Sequence, residues 1–135
     1  MALLQRFSRY SDLGLLIMRV GLGAMMITHG YPKLIGGPEK WQKIGGSMAN
    51  LGIHDFPAFW GFMAAFAEGV GGLLIVLGLF FRPACLLIIF TMIVAAASHF
   101  SKGDGLGGAG HAIELAFAYL GMLFVGPGRF SLDRR

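Results

Sequence analysis

The sequence predicts an all-α bundle of four transmembrane helices, and three observations predict it. Of 135 residues, 56% are hydrophobic and only 13% charged, with a mean hydropathy of +0.69, outside the range of water-soluble domains. Four apolar segments, 13–31, 57–81, 83–100 and 109–125, each hold close to the ~20 residues that cross a ~30 Å hydrocarbon core at ~1.5 Å per residue. The stretches between them are too short for a soluble catalytic domain. Residues 1–135 therefore form one integral-membrane domain, whose chemistry must be built from helix interiors and short loops.

The net charge of +4 comes with no basic patch interleaved with aromatics, so it does not mark a nucleic-acid surface. It reads instead as topology, because four spans put both termini on one side. Arg6, Arg9, Arg82, Arg129, Arg134 and Arg135 fall on that side, and Lys33, Lys40, Lys43 and Lys102 on the other. The bias favours cytoplasmic termini in the plasma membrane. Cys85 is the only cysteine, which excludes a paired-cysteine exchange centre within the chain and reads as a small core residue. No A-x-A cleavage site follows the first apolar run, so the first span is expected to stay attached.

Taken in order, Leu3, Phe7 and Tyr10 repeat at helical spacing with Arg6 and Arg9 elsewhere, a short amphipathic helix on the membrane surface. Asp12 is placed to cap the first span. Within that span, Met26, Gly30 and Lys33 fall within about 40° of Arg19, an inward face, with His29 to one side. The first loop holds a short interfacial helix opening at Pro38 and carrying Trp41, Ile44, Met48 and Leu51. Trp41 and Trp60 read as aromatic-belt anchors, and a lid over the bundle mouth is the alternative. Arg82-Pro83 turns the chain into the third span, where Met92, Ala96 and His99 share a face. Gly105 to Gly110 formally match G-x-G-x-x-G, but no strand precedes them, so a glycine-rich loop is expected rather than a dinucleotide site. The fourth span opens with His111 and Glu114 on one face, continued by Ala118 and Gly121.

Two acids, Glu68 and Glu114, lie inside apolar spans, where a charge costs roughly 2.5–3.5 kcal/mol or more and must face a partner. Gly61, Ala64, Ala65, Gly71, Gly72 and Ile75 surround Glu68 on its helix, a face of small side chains suited to close helix approach. By rise alone Arg19 lies ~9 Å and Glu68 ~20 Å from the same membrane face, so an Arg19–Glu68 pair is expected if their helices adjoin. A weak internal repeat, His29 to Lys33 with Gly36-Gly37 against His99 to Lys102 with Gly107-Gly108, suggests two parallel helical hairpins with Glu68 facing Glu114 across a pseudo-axis.

Arg19-x-Gly21, His29-Gly30-x-x-Lys33-Leu34, Glu68-Gly69 on a helix ending Leu77-Gly78-Leu79 and Arg82, the stretch from Met92 to His99, and the closing Gly126-Pro-Gly-Arg-x-Ser-Leu-Asp133 together resemble the DoxX family of small four-helix membrane proteins. The resemblance covers nearly the whole chain. It implies a plasma-membrane protein akin to a subunit of thiosulfate:quinone oxidoreductase, with relatives described as oxidoreductase or quinol-oxidase subunits. Arg19, Lys33, Glu68, His99 and Glu114 match the family's expected polar positions.

Three functional classes stay open. The first is a subunit of a quinone-linked redox complex, with Glu68 and Glu114 as proton-handling catalytic acids and Arg19, His29, Lys33, His99 and His111 binding the ligand. Lacking flavin or nicotinamide motifs, it would need an electron-donating partner protein and is not expected to be catalytic alone. The second is a small carrier or proton pathway along Arg19, Glu68 and Glu114. The third is a scaffold for a partner oxidoreductase, or a homo-oligomer whose buried charges only fix helix register. No metal is assigned, although His29, His99 and His111 share one membrane level and with Glu114 could complete a metal or haem shell.

Overall fold

The computed structural model describes residues 2–133, so Arg134 and Arg135 of the charge count lie outside the described residues. Among the described residues the structure is helical with no strand, and four helices are long and apolar enough to cross a membrane. A short α1 (Ala2–Gln5) and a 3-10 turn over Arg6–Tyr10 precede the first span, α2 (Ser11–Ile35). Leu3, Phe7 and Tyr10 are all exposed, as a surface-lying segment in contact with lipid requires. The first loop folds as α3 (Gly37–Gly45) and a 3-10 turn over Gly46–Leu51. The remaining spans are α4 (Pro57–Leu77), α5 (Phe81–Ser101) and α6 (Gly105–Val125).

The helices run up and down, and the tightest pairings are the hairpins α2/α4 and α5/α6, joined through α4 and α5. One end of the bundle, the tail end, carries the segments around residues 12, 80 and 130. The other, the mouth end, carries α3. Met26, Ile75, Phe81, Ala84, Cys85, Ile88, Met92, Ala112, Tyr119 and Met122 form a continuous core, and Cys85 sits within it fully buried.

Boundaries differ from the apolar segments for physical reasons. The first span continues through Pro32 to Ile35, because in a bilayer the backbone stays helical wherever its hydrogen bonds have no alternative partner. The second stops at Leu77, where Gly78 turns left-handed at φ 67° and its N–H bonds back to Ile75. Gly105 to Gly110 are not a loop but the first turns of α6, consistent with the tolerance of membrane helices for glycine.

The C-terminal segment closes the tail end. After α6, residues 126–133 cross beneath the bundle. The Leu132 and Asp133 N–H groups donate to the carbonyls of Leu77 and Gly78 at 3.1 and 2.9 Å. The Asp133 carboxylate accepts from the Phe80 and Phe81 N–H groups at 3.0 and 2.8 Å, satisfying amides that begin α5. Asp12 does not cap its own helix: Oδ1 accepts the Arg129 N–H at 3.1 Å. Arg19, 1% exposed, donates from Nη1 to the Pro127 carbonyl at 3.2 Å and from Nη2 to the Phe130 carbonyl at 2.7 Å. The G-P-G-R-x-S-L-D ending is therefore a strap that Arg19 clamps from inside.

Replacing Arg19 with alanine strands two carbonyls and opens a void. Thermal unfolding in detergent should show a loss of about 3 kcal/mol, with the tail newly sensitive to limited proteolysis. Asp133→Ala should cost about 1 kcal/mol, as other lost helix caps do.

Candidate functional site

The site begins with two glycines. Gly30 of α2 lies so close to the Glu68–Gly69 backbone of α4 that a Cβ there would collide with backbone atoms, and Gly23 meets Gly72 in the same way, at 2.7 Å from its carbonyl oxygen. Helices touching backbone to backbone bring the residues one turn away into register. Lys33, one turn past Gly30, leans toward the N-terminus of α2 as helical side chains do, and so reaches toward the bilayer centre. Its Nζ donates to both carboxylate oxygens of Glu68, at 2.9 and 2.8 Å. The Glu68 side chain is 5% exposed and that of Lys33 30%.

Glu68 thus pairs with Lys33 and not with Arg19, which corrects the expected partner. Arg19 and Lys33 are fourteen residues apart in the sequence, about 21 Å along the helix. Both cations lean toward the tail end; Arg19 there meets the strap, and Lys33 meets Glu68. The small residues predicted around Glu68 behave as expected, with Gly61, Ala65, Gly71, Gly72 and Ile75 buried.

Above the pair opens a cavity of about 360 Å³. Its walls are Met63, Ala64 and Ala67 of α4 and Leu87, Thr91, Val94, Ala95 and Ser98 of α5, with Glu68 and Lys33 at its floor. The roof is α3 and the turn after it, through Ile44, Gly45 and Met48, and Lys43, His99 and Lys102 stand at the rim. The roof is fixed by close contacts: a Cβ on Gly45 would strike Pro57, and one on Gly61 would strike Trp41. The Trp41 indole N–H donates to the Lys33 carbonyl at 2.9 Å, and its ring meets Phe62 edge-on. Trp41 is therefore a wedge between α2 and α4 rather than a belt anchor, and the first-loop helix covers the site. That covering role was weighed in the sequence, whereas the Trp41 bond to Lys33 had no sequence signal.

The other predicted residues do not gather here. Glu114 is exposed on the outer face of α6 and, among the described residues, makes no hydrogen bond or ion pair. The two acids consequently do not face each other across a pseudo-axis. His29 and His111 are exposed and stack with ring centroids 6.2 Å apart, and the His29 ring pairs through Nδ1 with the Met25 carbonyl at 2.8 Å. His99 turns to Asp104, Nδ1 to Oδ2 at 2.8 Å. Among the described residues no three His, Cys, Asp or Glu side chains come together as a metal shell, so the three-histidine arrangement with Glu114 does not form.

The DoxX family model matches residues 14–100, which hold Arg19, Lys33, Glu68 and the cavity walls. The chain belongs to the DoxX family. Over 94% of this chain and 97% of the relative it is 35% identical to Inner membrane protein YphA of Escherichia coli, supporting a multi-pass membrane protein. Similarity at 26% identity extends to "Putative oxidoreductase CatD" of Bacillus subtilis, over 90% of this chain and 86% of the relative. Inner membrane protein YqjF of Escherichia coli is also 26% identical, over 93% and 94%. No solved structure matches the chain. The Lys33–Glu68 ion pair of this DoxX chain thus lies inside the region the family model covers.

Removing one member of the pair strands the other. Glu68→Ala or Lys33→Ala should each cost about 3 kcal/mol, the low end for a buried pair because Lys33 is partly exposed, and the double replacement by methionine should cost less than either. Gly30→Leu should abolish the folded bundle, whereas Gly14→Leu, at a position with open space, should leave it intact. Thermal unfolding and size-exclusion profiles in detergent check both contrasts.

Proposed function

We propose that this chain is the membrane-embedded, ligand-binding subunit of a quinone-linked redox system, and that the cavity above Lys33 and Glu68 receives the head of the ligand. One observation carries the reading: a lysine–carboxylate pair at mid-bilayer depth forms the floor of an open cavity instead of being sealed between helices. A charge pair kept only for register gains nothing from a cavity. One that meets a ligand does.

The residues suit a quinone head. A cavity of about 360 Å³ is at the small end of the ~300–1,000 Å³ that ligand sites occupy, and its walls are mostly apolar. An ammonium has three N–H donors; two are spent on Glu68, and the third is left to donate to a carbonyl oxygen. Glu68 accepts or releases a proton beside that oxygen, and Ser98 offers a hydroxyl donor along the wall, while the Thr91 hydroxyl is spent on the Leu87 carbonyl. A quinone supplies two-electron chemistry that consumes protons, and a partner protein supplies the electrons. Trp41 and α3 hold Lys33 in place and limit water above it. We assign the tail end to the cytoplasm, which the charge bias favours, with the mouth opening on the opposite face.

A solute or proton pathway fits less well. The line from Glu68 toward the tail end is closed by Ile75, Phe81, Cys85 and Ile88, all fully buried, and Arg19 is committed to the strap.

A photoreactive ubiquinone analogue should label peptides of α4 and α5 from the purified protein. Ala64→Phe, which fills the cavity, should reduce labelling by about tenfold or more, since a blocked pocket loses its apolar contacts. Glu68→Gln should retain labelling but lose proton uptake coupled to reduction by the partner. Labelling unaffected by Ala64→Phe would refute the site.

A further inference from the structure

Glu68 and Glu114 lie at nearly the same depth: about 16 Å from the start of α4 at Pro57 and about 14 Å from the start of α6 at Gly105, at ~1.5 Å per residue. Glu68 has Lys33. Glu114 faces away from its own bundle and has no partner among the described residues. A carboxylate facing acyl chains at that depth is costly, and such groups find a partner. Lipid offers no cation or donor at mid-bilayer, whereas a packed protein helix does.

The surroundings of Glu114 have the form of a helix contact. At ~100° per residue, Gly107, Gly110, Ala118 and Gly121 all lie within about 40° of Glu114, one or two turns away on each side. Added Cβ atoms at Gly107, Gly110 and Gly121 would meet nothing within 4 Å. These glycines are thus not used in packing this chain, unlike Gly23, Gly30, Gly45 and Gly61. Beside this face, about 60° from Glu114, stands a complement to the acid: His111, one turn toward the mouth end and exposed, its ring stacked on His29 while its edge stays open. The two positions are three residues, about 4.5 Å, apart along the axis, a stagger that a glutamate and an imidazole span. On two parallel α6 helices related by a two-fold axis, each acid then meets the imidazole of the other copy, and the face is complementary to itself.

We propose that α6 pairs with α6 of a second copy of this chain about a two-fold axis along the membrane normal. Glu114 of each copy bonds His111 of the other, and the glycine stripe forms the contact.

The experiment is oxidative cross-linking in native membranes of the full chain carrying single added cysteines, with the buried Cys85 retained and the parent chain as control. Cysteines at Gly107, Gly110, Ala118 and Gly121 should give disulfide-linked dimers, whereas Ile17→Cys and Phe90→Cys, exposed on α2 and α5, should not. Dimer fraction in lipid vesicles, counted by single-molecule photobleaching, should fall about three- to tenfold for Glu114→Ala, the range for a polar contact between membrane helices. Gly121→Leu should abolish the dimer while leaving thermal unfolding of the monomer unchanged, because that position is open within the chain. Monomers at every protein-to-lipid ratio, equal cross-linking at all positions, or capture of a different protein by the stripe cysteines would each overturn the proposal.

Discussion

The contact of Gly30 with the Glu68–Gly69 backbone is the constraint on which the remaining structure depends. An acid in the middle of an apolar helix is tolerable only if a cation arrives with good geometry. Bare backbone on both sides brings α2 and α4 close enough for the Lys33 ammonium to reach both carboxylate oxygens. The same approach fixes the depth of the cavity floor and the direction of α2 above it. Trp41 then ties α3 to Lys33, so the roof is registered on the ion pair as well.

Inside the bundle, the polar groups are divided between the two ends. At the tail end, Arg19, Asp12 and Asp133 serve backbone groups of the strap and of the turn into α5. They are consumed in holding structure. At the mouth end, Lys33, Glu68, Lys43, His99 and Lys102 border open volume. Between the two lies a layer of apolar core. This asymmetry distinguishes a one-sided cavity from a through-going channel, although both would contain acids and bases within oily helices.

Much of this was legible because a bilayer leaves so few options. The four spans, the inward face of α2 with Arg19, Met26 and Gly30, and the small-residue face around Glu68 all follow from length and a period of 3.6. The partner of Glu68 was not legible. Arg19 and Lys33 share the inward face, and only the register that Gly30 sets against the Glu68–Gly69 backbone decides which of the two cations reaches the acid. The direction of Glu114 was misread because small residues flank it as they flank Glu68, and sequence alone does not tell whether such a stripe packs within a chain or outside it. The strap role of the ending G-P-G-R-x-S-L-D was not legible, since its partners, Arg19 and the amides of Phe80 and Phe81, are remote in the sequence.

That remoteness bears on how the protein is made. The amides that open the third span, and the guanidinium inside the first, are both satisfied by residues downstream of the fourth. An intermediate on the ribosome with three helices already in the bilayer therefore holds an exposed helix start and an arginine whose Nη groups lack their carbonyl acceptors. Docking of the strap supplies both sets of partners at once, so the first and third spans reach their final hydrogen bonding only after the last residues of the chain have emerged.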